Sequence, residues 1–271
     1  LYKSYRQPQQ TISKNLAAFI HTAVEPYTGI WVASTLLGLW VYSLIVLLSC
    51  DLTHVPAVWM GIAVLGRTFL HTGLFIIAHD AMHGTVLPQH RQINHWMGTI
   101  AISLYALLPY KKYFVKHWEH HRQPGQIGDP DYHDGIHSGI FAWYFKFMNG
   151  YLDARQKWVL LIGMTIIFHG LRLGFQVASL NLMLFWVLPI VLSSMQLFAF
   201  GTYLPHREQA IVQKKVERNN PHRAISSHYP IFWSFLTCYH FGYHWEHHEY
   251  PHLPWYRLPS ARRSLSQSKV L

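Results

Sequence analysis

Eight histidines stand in this chain at spacings that suit metal ligation, and a ninth stands apart at the end of an apolar run. His79-Asp-Ala-Met-His83 holds two, four residues apart. His117-Trp-Glu-His120-His121 holds three, and His244-Trp-Glu-His247-His248 repeats that pattern. His206 closes an apolar run on its own. On a helix, residues three and four apart share a face, so each cluster can aim its rings toward one point. Neutral imidazole is a good ligand for iron, zinc and copper. The eight clustered rings exceed what one ion needs and suit two. With His206 as the ninth, two ions receive four or five nitrogens each and keep positions open for oxygen.

Carboxylate ligation is the competing design, because di-iron bundles use Glu-x-x-His pairs from facing helices. Glu119 and Glu246 instead lie two residues past the first histidine of their clusters, roughly 200° around a helix from it. They read better as partners that orient ring N–H groups. Asp80, Asp129 and Asp131 are placed for the same task, although Asp-Pro and Asp-x-Tyr are also ordinary turn chemistry. Zinc hydrolysis is disfavoured, since neither His-Glu-x-x-His nor its inverse occurs.

Among the other histidines, His240 lies four before His244 and reads as a support for that cluster, and His252 lies just past it. His21, His54, His90, His133, His137, His222 and His228 read as surface or loop residues. His71, His95 and His169 read as hydrogen-bonded packing residues. Arg67 and His71 fall four apart within an apolar stretch. Ionisable groups there face the interior of a bundle, either as a cavity wall beneath the metals or as a polar tie between helices.

Long apolar elements must bring these clusters together. Residues 28–50 and 56–78 form two such runs, joined by a short link without Lys or Arg. A third covers about 158–178, interrupted by His169 and Arg172, and a fourth covers about 180–204, where Pro189 should kink it. Each approaches the ~20 residues that cross a bilayer as a helix. Residues 96–108 are too few to cross and read as an interfacial or re-entrant segment. Four crossings put the N-terminus, residues 79–157 and everything after 204 on one side, so all the histidine clusters share it. That side also carries Lys3, Arg6 and Lys14, then Lys111, Lys112, Lys116 and Arg122, then Lys214, Lys215, Arg262 and Arg263. Charge bias makes it cytoplasmic. The expected fold is an all-α integral membrane protein. Its four transmembrane helices carry a cytoplasmic helical cap, from 79–157 and 205–271, that holds a histidine-rich di-iron site. The 271 residues are expected to form a single domain.

Composition agrees. The chain is 51% hydrophobic and only 13% charged, about half the charge of an average soluble domain. A mean hydropathy of +0.08 still requires a sizeable polar part outside lipid. The net charge of +10 is explained by basic segments flanking apolar spans. No arginine-rich helix or zinc-finger spacing supports nucleic-acid binding. Two cysteines, Cys50 and Cys238, exclude a disulfide framework and a cysteine-ligated cluster. The polar start, Leu1 to Arg6, carries no cleavable leader pattern.

These motifs resemble the membrane di-iron superfamily of fatty-acid desaturases, alkane hydroxylases and carotenoid oxygenases, whose pattern is His-x(3-4)-His followed by two boxes of His-x(2-3)-His-His. Within it, His79-Asp-Ala-Met-His-Gly84, His120-His-Arg-Gln-Pro-Gly125 with Asp129-Pro-Asp131, Phe200-Gly-Thr-Tyr-Leu-Pro-His206 and Pro251-His-Leu-Pro-Trp255 are similar to the bacterial and cyanobacterial beta-carotene ketolase family. The resemblance spans most of the chain. It implies two iron ions, with dioxygen as co-substrate, that hydroxylate the 4 and 4' carbons of beta-ionone rings. A second hydroxylation at the same carbon, followed by loss of water, gives the ketone, so beta-carotene becomes echinenone and then canthaxanthin. It also implies a carotenoid taken from the bilayer and a separate ferredoxin-type electron donor, since no flavin or nicotinamide fingerprint occurs here. A fatty-acid desaturase, a carotenoid ring hydroxylase and a membrane metal-binding or transport protein are the alternatives.

Overall fold

Apolar runs bounded by polar links form four helices long enough to cross a bilayer in the computed structural model, which describes residues 27–207 and 220–268. They are α1 (Thr28–Leu48), α2 (Ala57–His83), α6 (Ala154–Gly174) and α7 (Ser179–His206). The shorter helices are α3 (Arg91–Ala106), α4 (Tyr110–Arg122), α5 (Ile140–Tyr151), α8 (Ile231–Cys238), α9 (His244–Glu249) and α10 (Leu258–Ser268). Every regular element among the described residues is helical. Lys3, Arg6, Lys14, His21, Lys214 and Lys215, used above for topology and packing, lie outside the described residues.

Helix α2 is the central post. Its buried face runs from Val64 to Met82 and packs against α3 and α7. Its last turn carries His79 and His83 and stops at Gly84, whose φ of 75° is a left-handed cap that a side chain would strain. The chain leaving that cap crosses Gly29 at the start of α1. A Cβ on Gly29 would sit 2.5 Å from the Thr85 carbonyl oxygen, so only glycine permits the crossing. Residues 96–108 belong mostly to α3, which lies along α2 with Ala101, Ile102 and Tyr105 buried and Trp96 and Ile100 exposed. Helix α6 begins at Asp153, which accepts a capping hydrogen bond from the Gln156 N–H at 2.8 Å. It exposes Trp158, Leu161, Ile162 and Ile166, as a helix facing hydrocarbon should.

Pro189 acts on α7 through the backbone. It cannot donate to the Phe185 carbonyl four residues back, and residues Met183–Val187 widen into a π-helical turn. Arg67 of α2 fills the gap. Its Nε donates to Phe185 O at 3.1 Å, and its Nη1 donates to Trp40 O and Ser43 Oγ of α1, both at 2.8 Å. One guanidinium thus ties three spans. His71 adds a second tie: Nδ1 accepts from Trp40 Nε1 at 3.2 Å and Nε2 donates to Tyr105 O at 2.9 Å. Of the two readings left open for Arg67 and His71, the geometry supports the polar tie.

Candidate metal centre

Four elements deliver the nine histidines to one place. The end of α2 brings His79 and His83, and α4 brings His117, His120 and His121. The end of α7 brings His206, and α9 brings His244, His247 and His248. They sort into two groups of four. His79, His83, His117 and His247 form one, and His120, His206, His244 and His248 the other, with the ligand atoms of each group within 4.8 Å of one another. His121 joins the first group through its Nε2, 3.0 Å from that of His247.

The Nε2 atoms converge closely. In the first group His83 and His117 approach to 2.6 Å, and His79 and His247 to 3.2 Å. In the second, His206 and His244, and His120 and His248, approach to 3.1 Å, and His244 and His248 to 3.0 Å. The far ring nitrogens of three histidines are held by acceptors. His120 Nδ1 donates to both oxygens of Asp129 at 2.9 and 3.0 Å. His206 Nδ1 donates to the Arg223 carbonyl at 2.9 Å. His79 Nδ1 lies 3.4 Å from Asp80. A proton held on Nδ1 leaves the Nε2 lone pair aimed inward, which is the tautomer a metal requires. The Nδ1 atoms of His83 and His248 are buried with no partner among the described residues.

Electrostatics keep most of these rings in the binding form. Burial, reinforced by neighbouring imidazoles, pushes His117, His121, His244 and His248 well below the usual histidine value. It pushes His247 down to about 3. His120 behaves differently: burial works against its charged form, yet Asp129 and Asp131 raise it to about 9. Burial would raise Asp129 as well, but His120 and the Asp131 N–H hold it below the usual carboxylate range. That anion is also clamped by the Gly125 N–H at 2.7 Å and the Asp131 N–H at 2.8 Å. All-imidazole groups, each with a buried carboxylate facing one of its rings, fit divalent transition-metal cations.

The carboxylates expected to orient rings divide. Asp129 reaches His120 directly, and Asp131 lies 4.0 Å from the same ring. Asp131 accepts from Tyr151 Oη. Asp80 accepts from the Trp255 N–H at 3.3 Å as well as facing His79. Glu246 turns away from the rings to Ser226 and to Arg262, at 3.0 Å. Glu119 is half-buried and makes no side-chain hydrogen bond among the described residues. His240 faces Ser234 Oγ at 3.2 Å and stacks on Tyr243. Its positive φ of 63° breaks the helix that would have aligned it with His244. His222, read from the sequence as a loop residue, reaches the rim, its ring 5.8 Å from that of His248.

A cavity of about 280 Å³ runs between the spans to this cluster. His79, His117, His120, His244 and His247 close its end, and Phe75, Tyr105, Tyr113, Tyr144, Phe147 and Phe241 line its walls. Val191, half exposed on α7, and Leu160 of α6 stand at the lipid-facing side. The walls carried a signal in the sequence. Phe75, Tyr113 and Thr202 each lie four before a histidine of the cluster (His79, His117, His206), one helical turn beneath it.

Residues 53–268 match the fatty acid desaturase family. The chain is 42% identical to the beta-carotene ketolase of Haematococcus lacustris over 220 residues, 79% of this chain and 64% of that protein. It is 42% identical to the beta-carotene ketolase of Paracoccus sp. (strain N81106 / MBIC 01143) over 222 residues, 77% and 86% of the two. It is 35% identical to the zeaxanthin 4-ketolase of Chlamydomonas reinhardtii over 240 residues, 87% and 51%. The chain thus spans less than two thirds of the Haematococcus and Chlamydomonas proteins.

Proposed function

The chain belongs to the fatty acid desaturase family, and from that premise we propose that it oxidises the beta-ionone rings of beta-carotene to ketones at carbons 4 and 4'. The observation that carries this reading is the aromatic-walled cavity ending on the ring faces of the histidine cluster. Its volume of about 280 Å³ holds on the order of ten non-hydrogen atoms at the ~30 Å³ of a water. That suits one methylated six-membered ring, with the polyene left toward the bilayer. The relatives' names point to the same substrate class.

His79, His83, His117, His121 and His247 are proposed to hold one iron, and His120, His206, His244 and His248 the other. Bound there, the pair supplies dioxygen activation. The chain's own residues do the rest. Aromatic walls grip the ring and exclude water, the histidine ends of α2 and α7 set its depth, and Asp129 fixes the His120 tautomer. Each hydroxylation consumes one dioxygen, two electrons and two protons, and releases one water. A second hydroxylation at the same carbon gives a geminal diol, which loses water to become the ketone. Electrons come from a separate ferredoxin-type donor, and the whole chain works as one domain. The basic residues Lys111, Lys112, Lys116, Arg122, Arg262 and Arg263 support a cytoplasmic side for the cluster and both termini.

Expression in a bacterium that accumulates beta-carotene tests the reading, with pigments separated by chromatography and identified by mass spectrometry. Echinenone and canthaxanthin are expected. Rings hydroxylated only at carbon 3 would make it a ring hydroxylase. New unsaturated fatty acids beside untouched carotene would make it a desaturase.

A further inference from the structure

Three tyrosine hydroxyls of the cavity have partners, whereas that of Tyr113 makes no hydrogen bond among the described residues. Tyr144 pairs with Ser194 at 2.7 Å, Tyr105 with Ser193 at 3.2 Å, and Tyr151 with Asp131. Thr202 does not. It is 4% exposed and lines the cavity, and its hydroxyl makes no hydrogen bond among the described residues. Five other helical threonines differ, although Thr28 and the exposed Thr35 of α1 also make no such bond among the described residues. Thr68, Thr72, Thr99, Thr165 and Thr237 each return their hydroxyl to the carbonyl four residues back, the usual way to satisfy the group.

The backbone explains the exception. Thr202 sits in the π-helical segment Phe198–Tyr203, just before Pro205, which cannot donate to the Gly201 carbonyl. A widened turn changes the direction of each side chain relative to the carbonyls beneath it, and such turns recur at functional sites. Four residues on is His206, so the hydroxyl lies roughly 6 Å along the axis from a histidine of the second group. Gly201 beside it admits the Phe241 ring: a Cβ there would meet Phe241 Cδ2 at 3.2 Å. Thr202 therefore presents a fixed, unpaired hydroxyl to an apolar cavity, next to the metal-facing rings.

We propose that the Thr202 hydroxyl holds the ring alcohol produced by the first oxidation, keeping the same carbon in place for the second. This inference rests on the ketone-forming reading above. Beta-carotene offers Thr202 no partner. After one oxidation the ring carries a hydroxyl, whose burial without a partner is costly. Threonine can both donate to it and accept from it. An alcohol left unpaired would leave for the bilayer as the end product. One hydrogen bond thus separates a ketone-forming cavity from one that stops at the alcohol.

The test uses the full chain expressed in a beta-carotene-producing bacterium, comparing wild type with T202V, T202S and Y113F. The ratio of 4-hydroxy to 4-keto rings is measured. Membranes are also supplied with beta-carotene or with its 4-hydroxylated form to obtain KM for each. T202V should raise the ratio about fivefold, the worth of one neutral hydrogen bond, and raise KM more for the alcohol than for beta-carotene. T202S, which keeps the hydroxyl, should restore the wild-type ratio. If T202V accumulates poorly, T202A against T202S gives the same comparison. A wild-type ratio in T202V overturns the inference, as does a shift in Y113F alone, since Tyr113 also lines the cavity. Absence of any 4-oxygenated ring from the unmutated chain overturns the ketone-forming reading itself, so the two failures are told apart.

Discussion

Replacing Asp129 by Asn changes one atom type and should empty half of the metal centre. Asp129 is 1% exposed and accepts from three directions: His120 Nδ1, the Gly125 N–H and the Asp131 N–H. A carboxylate serves all three because both its oxygens accept. A carboxamide has one accepting oxygen and one donating NH2. The Gly125 N–H points at one oxygen and the Asp131 N–H at the other, so whichever position takes the NH2 sets a donor against a backbone N–H. His120 Nδ1 lies against both positions, so that NH2 also competes to donate to it and drives the ring proton to Nε2, where it occupies the lone pair that should bind metal. In either orientation the second group is weakened and the first is left intact. Losing such an orienting partner costs ~10–100-fold in metal affinity, or about 1.4–2.8 kcal/mol. The assay is iron per protein on detergent-purified D129N, followed through a chelator titration. Iron content should fall by about half, with one population released ~10–100-fold more readily. Full iron content with a wild-type chelator profile would refute the tautomer argument.

Three further outcomes follow from the same geometry. H120A, H206A and H247A should each lose iron and product, whereas H90A, on a residue outside both groups, should keep both. R67M should lower the stability of the detergent-purified protein by roughly 2–4 kcal/mol, because two buried carbonyls and the half-buried Ser43 Oγ each lose a charged donor; an unchanged thermal midpoint would contradict its role as a tie. The metal-free protein should lose stability on acidification. His247, held at about 3 against an unfolded value of 6.5, binds its proton only after unfolding, so its contribution declines as pH falls from about 6.5 toward 3. His120, raised to about 9, acts in the opposite sense: its contribution is complete below 6.5 and is lost as pH rises through about 9. Thermal unfolding across pH 4 to 10 reads both limbs, and a flat profile would contradict the assignments.

The chain's pattern determines which residues are chemically equipped and roughly where they stand. Hydropathy alone marks four long helices, because about twenty mostly apolar residues have nowhere to go but lipid or a core, and an isolated Arg67 or Arg172 does not reverse that balance. The parity of those crossings then puts every histidine cluster on one side. Spacing of three and four nominates eight imidazoles, since helical geometry is local, and the place of His206 at the end of the fourth span nominates the ninth. The division of labour among them is not local, and only the tertiary structure decides it. The boxes do not correspond to the two groups. His117 and His247 face the first group, while His120, His244 and His248, from the same two short helices, face the second. Residues three apart on a helix are offset by about 60° and ~4.5 Å, so one helix can serve two centres, and the facing helix settles which ring goes where. The same holds for the supporting groups. Glu119 and Glu246 share the sequence position His-Trp-Glu, yet the orienting carboxylate is Asp129, brought back to His120 by a turn whose N–H groups clamp it. Arg67 looked equally fit to wall a cavity or to bind helices until Pro189, more than a hundred residues away in sequence, left a carbonyl opposite it. Local pattern encodes what each residue can do. What it meets depends on packing between distant segments, which no single stretch of sequence contains.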